Sequence, residues 1–252
     1  MSPQEQLRLV TVARLGALAA LYFLGGLLGR FILFRASSVP LVLPSSGIAL
    51  AAILLFGYRY WPGIALGAVL FSCINGVPFG FFMLGTVLGN TIGAVVCAYL
   101  LKRFVNFANP MERTRDAAGY VLLACALGTT VNAAFQVVSL IYSKKLGWEE
   151  LFSRTLEWWV PNALALLVVT PVIITWAAPA SVQRSWLRGV EAGLCAAGLA
   201  GGTLIAFDTW FVYGLQNYPL AYLPYPFLVW SALRFGPRGA ATGTLLVAAL
   251  AI

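Results

Sequence analysis

Long apolar runs alternate with short polar stretches along the whole chain. A bilayer offers no hydrogen bonds to the backbone, so an apolar run of roughly 20 residues predicts a membrane-spanning helix. We therefore predict an all-α fold, a polytopic transmembrane helical bundle with about nine spans. The expected spans are 15–34, 39–57, 62–76, 80–101, 117–142, 157–177, 189–213 and 219–233, with a ninth that begins near Ala240.

The last apolar run stops at Ile252 after about 13 residues, which is too short to cross a bilayer. We expect the natural chain to continue beyond residue 252. Residues 1–252 are then expected to form a single integral-membrane domain, in which residues 1–14 are an N-terminal tail.

Lysine and arginine lie mainly between the runs, and their distribution predicts an orientation. With the N-terminus in the cytoplasm, the outer side holds Arg35, Lys144, Lys145 and Arg154, and Arg30 lies within the first span. The inner side holds the other eleven of the 16 basic residues: Arg8, Arg14, Arg59, Lys102, Arg103, Arg113, Arg115, Arg184, Arg188, Arg234 and Arg238. The excess on one side predicts a cytoplasmic N-terminus.

Composition excludes several classes of protein. The chain is 61% hydrophobic and 10% charged, which is too apolar for a soluble domain. The net charge of +8 is spread over the loops, so nucleic-acid binding is not expected. Histidine is absent, the four cysteines are scattered and the carboxylates form no acid–base pair. We therefore expect no catalytic residues, no metal site and no cofactor, and hence no enzyme within this chain.

Polar residues within or beside apolar spans are the candidate ligand-binding residues, because such groups are costly in a membrane. They are Arg30, Ser45, Ser46, Glu157, Trp158, Trp159, Asn162 and Asp208. Arg30 either extends to the interface or pairs with Glu157 or Asp208. The tryptophans also fit an aromatic belt. Hydrogen bonding between helices by Asn132, Gln136 and Asn162 is the structural alternative.

Pro40 and Pro44 predict that the first part of the second span is extended or kinked. The segment Pro44-Ser45-Ser46-Gly47 has two interpretations. It is either a restarted helix whose N-terminus faces a ligand, or a simple N-cap by Ser45 or Ser46 with Gly47 allowing close packing.

Two loops predict rigid turns on the inner side. Arg59, Trp61 and Pro62 lie in the first, and Arg234 and Arg238 lie in the second. Their arginines are expected to meet phospholipid head groups or to pass a signal towards a cytoplasmic extension.

Four segments in order give the chain a family resemblance. Pro44-Ser45-Ser46-Gly47-Ile48-Ala49-Leu50-Ala51 and Gly57-Tyr58-Arg59-Tyr60-Trp61-Pro62 are followed by Trp158-Trp159 with Pro171. The last is Pro226-Phe227-Leu228-Val229-Trp230-Ser231-Ala232-Leu233-Arg234-Phe235-Gly236. Over residues 38–252 the chain resembles the first-type membrane-associated sensor (MASE) domain family. It departs from the expected pattern at Asn162, where an aspartate would follow the tryptophan pair.

The resemblance implies a sensor domain in the bacterial inner membrane. Such domains are N-terminal input modules of sensor histidine kinases and diguanylate cyclases. The resemblance therefore implies an effector domain with one of these activities beyond residue 252, and a homodimer for the full-length protein. The implied partners are membrane lipids and a small ligand or membrane protein that supplies the stimulus. The alternative, favoured by the Pro- and Gly-interrupted spans, is a small-molecule transporter or a substrate-binding membrane component.

Overall fold

The computed structural model describes residues 2–31, 40–107, 113–179, 186–207 and 222–251. Within these ranges the regular elements are all helical, which confirms the predicted all-α class. The α-helices are α1 (Pro3–Phe31), α2 (Pro44–Phe56), α3 (Trp61–Ile74), α4 (Phe81–Leu100), α5 (Thr114–Gly119), α6 (Thr129–Tyr142), α7 (Leu151–Ala177), α8 (Trp186–Phe207) and α9 (Tyr225–Ala251).

Tighter and wider helical turns extend or join several of these helices. A π-helical segment, Leu101–Val105, continues α4, and another, Tyr120–Gly128, joins α5 to α6. Short 3-10 turns at Tyr58–Tyr60 and Trp148–Glu150 precede α3 and α7. The turn at Trp148–Glu150 leads directly into α7.

Five stretches of the described residues are long and apolar enough to cross a membrane. They are Arg8–Arg30, Phe81–Val105, Thr114–Tyr142, Trp148–Ala177 and Trp186–Phe207. The second and third predicted spans form the shorter helices α2 and α3, of 13 and 14 residues. At 1.5 Å per residue each is only about 20 Å long. The multi-pass character is thus supported, and the count of nine is not confirmed.

The first helix begins earlier than the apolar pattern suggests. Ser2 and Glu5 form a capping box, in which the Glu5 carboxylate accepts the Ser2 N–H at 2.7 Å and the Ser2 hydroxyl accepts the Glu5 N–H at 3.3 Å. Residues predicted as a tail are therefore the first turns of α1.

The second helix begins at Pro44, and the four residues before it are not helical, as the two prolines predicted.

The predicted second inner turn is a break inside α9. Gly236 has φ 63° and ψ −151°, and Pro237 follows it. The positive φ is accessible to glycine, and proline supplies no N–H for a continuous helix, so the two residues together interrupt the helix. The eighth and ninth predicted spans lie on the two sides of this break.

The chain divides into two compact units, and the division falls within α7, after Thr170. In the first unit, glycines admit close helix packing. A Cβ on Gly63 would lie 3.0 Å from the Leu15 carbonyl, and one on Gly67 would lie 2.8 Å from that of Ala19, so α1 and α3 run parallel in contact.

Glycines spaced by four residues line the face of α4 that packs on α6. Gly85, Gly89 and Gly93 face Ser139, Phe135 and Asn132 in turn, so the two helices are antiparallel. Gly47 of α2 packs in the same way on α7, where a Cβ would lie 2.7 Å from the Ala165 carbonyl oxygen. These close approaches bring α2, α4, α6 and α7 together.

The second unit contains the last turns of α7 with α8 and α9. Gly198 of α8 accommodates the ring of Phe227, and the Cys195 thiol contacts the Phe227 carbonyl oxygen at 3.4 Å. Beyond the break, Gly243 packs against Ser231, which shows that the two halves of α9 fold back on each other.

Candidate functional site

A buried chain of polar side chains connects four helices of the first unit. The Ser46 hydroxyl on α2 donates to the Asn162 amide oxygen on α7 at 2.5 Å. The Asn132 amide on α6 donates to the same oxygen at 3.3 Å and to the Asn90 amide oxygen on α4 at 3.1 Å. Gln136 donates to the Asn132 amide oxygen at 2.7 Å. We call these five residues the polar network.

Asn162 is the centre of the polar network and is completely buried. It lies near the middle of the 27-residue α7. Its amide nitrogen donates to the Trp158 carbonyl oxygen one turn earlier, at 2.6 Å. This bond fixes the amide so that its oxygen faces α2 and α6, where it accepts two hydrogen bonds.

Neighbouring contacts hold the surrounding helices in register. The Thr170 hydroxyl donates to the Gly47 carbonyl oxygen at 2.9 Å, and the Tyr120 hydroxyl donates to the Leu166 carbonyl oxygen at 2.7 Å. The Trp159 indole N–H donates to the Ala126 carbonyl oxygen at 3.1 Å. These bonds join α2 and the π-helical segment Tyr120–Gly128 to a single face of α7.

A small cavity adjoins the polar network and has room for about one water molecule. Its polar lining comes from Ser46, Asn90, Thr129, Asn132 and Asn162, and the rest of the lining is apolar or glycine. No ionisable carboxylate, lysine or arginine lines it among the described residues. Its chemistry therefore suits a small uncharged molecule with hydrogen-bonding groups, and it offers no partner for a strong anion or cation.

One acceptor at the edge of the polar network has no partner among the described residues. The Gln136 side chain is 1% exposed, and its amide oxygen accepts no hydrogen bond there. An unpaired buried acceptor costs about 1–3 kcal/mol. The polar network therefore has an unused acceptor on Gln136, and its partner Asn132 lines the cavity.

The structure brings together only part of the predicted ligand-binding set. Ser46 and Asn162 are in the polar network, and Ser45 lies beside it and hydrogen-bonds the buried Tyr22 hydroxyl. Trp158 contributes its carbonyl group and Trp159 its indole N–H. Ser45 and Ser46 do not cap α2, because the cap position is Leu43 and no side chain caps it. Both serines lie within the first turn after Pro44.

The charged candidates lie elsewhere. Arg30 is exposed near the end of α1. Glu157 forms an ion pair at 2.8 Å with Arg154, three residues earlier on the same helix face, rather than with Arg30. Asp208 lies outside the described residues.

The two turns predicted to lie on the inner side differ in what their arginines bind. In the second unit, Arg234 bonds both carboxylate oxygens of Glu191, at 2.6 and 2.8 Å. Arg238 donates to the carbonyl oxygens of Thr175 and Ala178 at the end of α7, and its guanidinium lies 5.6 Å from the Trp176 ring centroid. Both arginines thus bind protein groups, and Arg238 satisfies carbonyls that the helix end leaves free.

The first of these two turns, between α2 and α3, carries exposed cations. Pro62 lies in the first turn of α3, where proline is favoured, and Trp61 is half exposed. The Arg59 guanidinium lies 5.3 Å from the Tyr60 ring centroid. A hydrogen bond from Arg14, with Arg59 close by, lowers the pKa of the Tyr60 hydroxyl below its ordinary value.

Asn90 was not predicted as a site residue, and Asn132 and Gln136 were predicted only as structural hydrogen-bonding groups. The signal for Asn90 was available, since it is an amide within an apolar run. Thr129 carried no signal, because a threonine in a membrane helix ordinarily bonds its own backbone, as Thr129 also does to the Cys125 carbonyl.

A family model for MASE1 matches residues 14–252, almost the entire chain. The chain belongs to the MASE1 family. MASE1 is a family of membrane-associated sensory domains, and such a domain is not itself catalytic. The predicted family is thereby confirmed. No curated protein and no solved structure matches the chain.

Proposed function

We propose that this MASE1 domain is the sensory input part of a bacterial signal-transduction protein of the inner membrane. It passes its stimulus to a C-terminal cytoplasmic kinase or diguanylate cyclase, and the full-length protein acts as a homodimer. The N-terminus is cytoplasmic, and the helices make about nine passes. Membership of a sensory family supports the input role, and the basic residues between the apolar runs support the orientation.

The polar network carries the proposal for where the stimulus acts. A hydroxyl and amides from four helices share hydrogen bonds around Asn162, so a molecule that replaces one bond changes how these helices are held. A ligand shifts a conformational equilibrium only if it binds two states with different affinity. An uncharged ligand that accepts from Asn132 or donates to Gln136 in one arrangement meets this condition.

The neutral lining sets the chemical class of the stimulus. Removing a charge from water into an apolar environment is very costly unless an opposite charge receives it. The cavity supplies no such charge among the described residues. The stimulus proposed to act here is therefore an uncharged molecule that donates and accepts hydrogen bonds and enters by replacing bonds of the polar network, since the cavity itself holds about one water molecule.

The gene downstream of codon 252 provides the first test. A kinase or cyclase domain encoded there in frame supports the input role. A stop codon shortly after one further span contradicts it, and a transport role then becomes the better account. Substrate flux into proteoliposomes would independently identify a transporter, because a sensory domain moves no substrate.

The signalling output of the full-length protein provides the second test. We expect Asn162→Leu to leave its output unresponsive or fixed at one level, because three hydrogen bonds are lost. Asn75→Leu is the matched control, since Asn75 is exposed and makes the same 2.6 Å amide bond to the carbonyl one turn earlier. Equal responses from the two variants would contradict a role for the polar network.

A further inference from the structure

Three cations from separate parts of the first unit meet at the turn between α2 and α3. The Lys102 ammonium, in the π-helical segment that continues α4, lies 4.8 Å from the Tyr58 ring centroid. The Arg59 guanidinium lies 5.3 Å from the Tyr60 ring centroid, and Arg14 of α1 hydrogen-bonds the Tyr60 hydroxyl. We call Arg14, Arg59 and Lys102, together with Tyr58 and Tyr60, the basic turn cluster.

Tyr60 holds two of these cations near each other. Its side chain is 3% exposed and therefore fixed in place, and both guanidinium groups contact it. The packing of Gly63 on the Leu15 backbone keeps the Arg14 turn of α1 beside this position. Like charges this close repel each other unless an anion lies between or beside them.

No carboxylate neutralises the basic turn cluster among the described residues. The ion pairs among the described residues lie outside the cluster: Arg154 pairs with Glu150 and Glu157, and Arg234 pairs with Glu191. In the second inner turn Glu191 neutralises Arg234 and backbone carbonyl groups bind Arg238, whereas Arg14, Arg59 and Lys102 all remain exposed. The positive charge of the first turn is therefore available to an external anion.

Apolar side chains beside the cations indicate where that anion comes from. Phe56 is 56% exposed and Trp61 is 50% exposed, and they flank the turn on both sides. Exposed aromatic rings next to lysine and arginine are typical of the head-group level of a membrane protein. A soluble anion would leave these rings in water, whereas the acyl chains of a lipid would cover them.

From this arrangement, we propose that Arg14, Arg59 and Lys102 bind the phosphate of an anionic phospholipid whose acyl chains lie against Phe56 and Trp61. The guanidinium groups match phosphate geometry and the lysine adds a point charge. The site goes beyond the proposed signalling role and depends only on the membrane location. Its test and the test at codon 252 can therefore fail independently.

Lipid binding by the purified full chain in a neutral detergent tests the site. Native mass spectrometry would count phosphatidylglycerol and phosphatidylcholine molecules retained as each lipid is titrated. We expect one phosphatidylglycerol to bind with clear preference. In the triple variant Arg14→Gln, Arg59→Gln, Lys102→Gln the preference should disappear, with affinity falling about fivefold for each cation removed.

A matched triple variant separates a site from general positive charge. Arg113→Gln, Lys144→Gln, Arg188→Gln removes the same charge from three exposed positions outside the cluster and should keep the preference. Tyr60→Phe keeps the ring, removes the hydroxyl that gathers the guanidinium groups, and should weaken phosphatidylglycerol binding on its own. The charge-conserving variant Arg14→Lys, Arg59→Lys should retain more binding than the Gln variant, which excludes simple misfolding.

Three results would overturn the proposal. They are equal retention of both lipids by the unchanged chain, equal loss of preference in the two triple variants, and displacement of phosphatidylglycerol by inorganic phosphate at micromolar concentration. The last would show a site for a soluble anion instead.

Discussion

The hydroxyl of Ser46 donates to the amide oxygen of Asn162 at 2.5 Å, across 116 positions of sequence. The bond joins α2 to α7 inside the first unit, and both side chains are buried. The bond from the Asn162 amide nitrogen to the Trp158 carbonyl oxygen orients the amide oxygen towards Ser46. Two residues selected from separate motifs thus prove to be direct partners.

Replacing Asn162 by leucine should destabilise the first unit. The change keeps a similar volume but leaves the Ser46 hydroxyl and one Asn132 N–H without their acceptor, which costs about 1–3 kcal/mol for each buried group left unpaired. Hydrogen bonds between membrane helices average only about 0.6 kcal/mol, so we expect a total near 2 kcal/mol. Thermal unfolding in detergent would measure it. Asn75→Leu should change the midpoint little, and an equal shift in both variants would argue against the polar network.

Gly47→Ala should also be destabilising, because the new methyl group meets atoms that cannot move away. A Cβ there would lie 2.7 Å from the Ala165 carbonyl oxygen and 2.7 Å from the Val169 Cβ. Overpacking of this kind costs about 1–3 kcal/mol. Gly193→Ala on α8 is the control: a Cβ there meets nothing within 4 Å, and the better helix propensity of alanine should leave stability equal or up to about 1 kcal/mol higher. Equal destabilisation by both would contradict the close packing of α2 on α7.

The Arg234–Glu191 pair should contribute modestly to the second unit. The pair is close, at 2.6 Å, but the Arg234 side chain is 55% exposed, so screening limits its value to about 0.2–1 kcal/mol. A double-mutant cycle with Arg234→Gln and Glu191→Gln measures this coupling. Combining Glu191→Gln with Arg238→Gln should be additive, because Arg238 bonds the Thr175 and Ala178 carbonyl groups instead. Coupling above about 2 kcal/mol would show a far less screened pair than the structure indicates.

Cys73 reports the orientation of the chain. It is the exposed cysteine, near the end of α3 that the predicted topology places on the outer side, whereas Cys97, Cys125 and Cys195 are buried. A membrane-impermeant maleimide added to intact spheroplasts should label this protein at Cys73, and Cys73→Ser should abolish the labelling of the protein. Labelling that requires lysis would place the N-terminus outside and reverse the proposed topology.

The sequence predicted the family and the helical class, because both depend on local features. A continuous apolar run in a bilayer can pair its backbone N–H and C=O groups within the segment only as a helix, which predicts the class. Motifs such as Gly57–Pro62 lie in short segments, which is enough to indicate the family. The start of α2 at Pro44 and the break at Gly236 followed in the same way from the chemistry of proline and glycine. Helix ends were predicted less well, because caps such as Ser2 with Glu5 extend a helix into polar sequence.

The tertiary structure alone decided which polar residues share a site. Sequence placed Arg30 and Glu157 as possible partners, but Arg154 is closer to Glu157 on the same helix. It gave Asn90 no role, although the approach of α6 to Gly89 and Gly93 brings Asn132 against it. Partners within one helix follow from spacing, which the sequence shows. Partners on different helices depend on which faces pack together, and in this chain that is decided by where glycine lets two backbones approach.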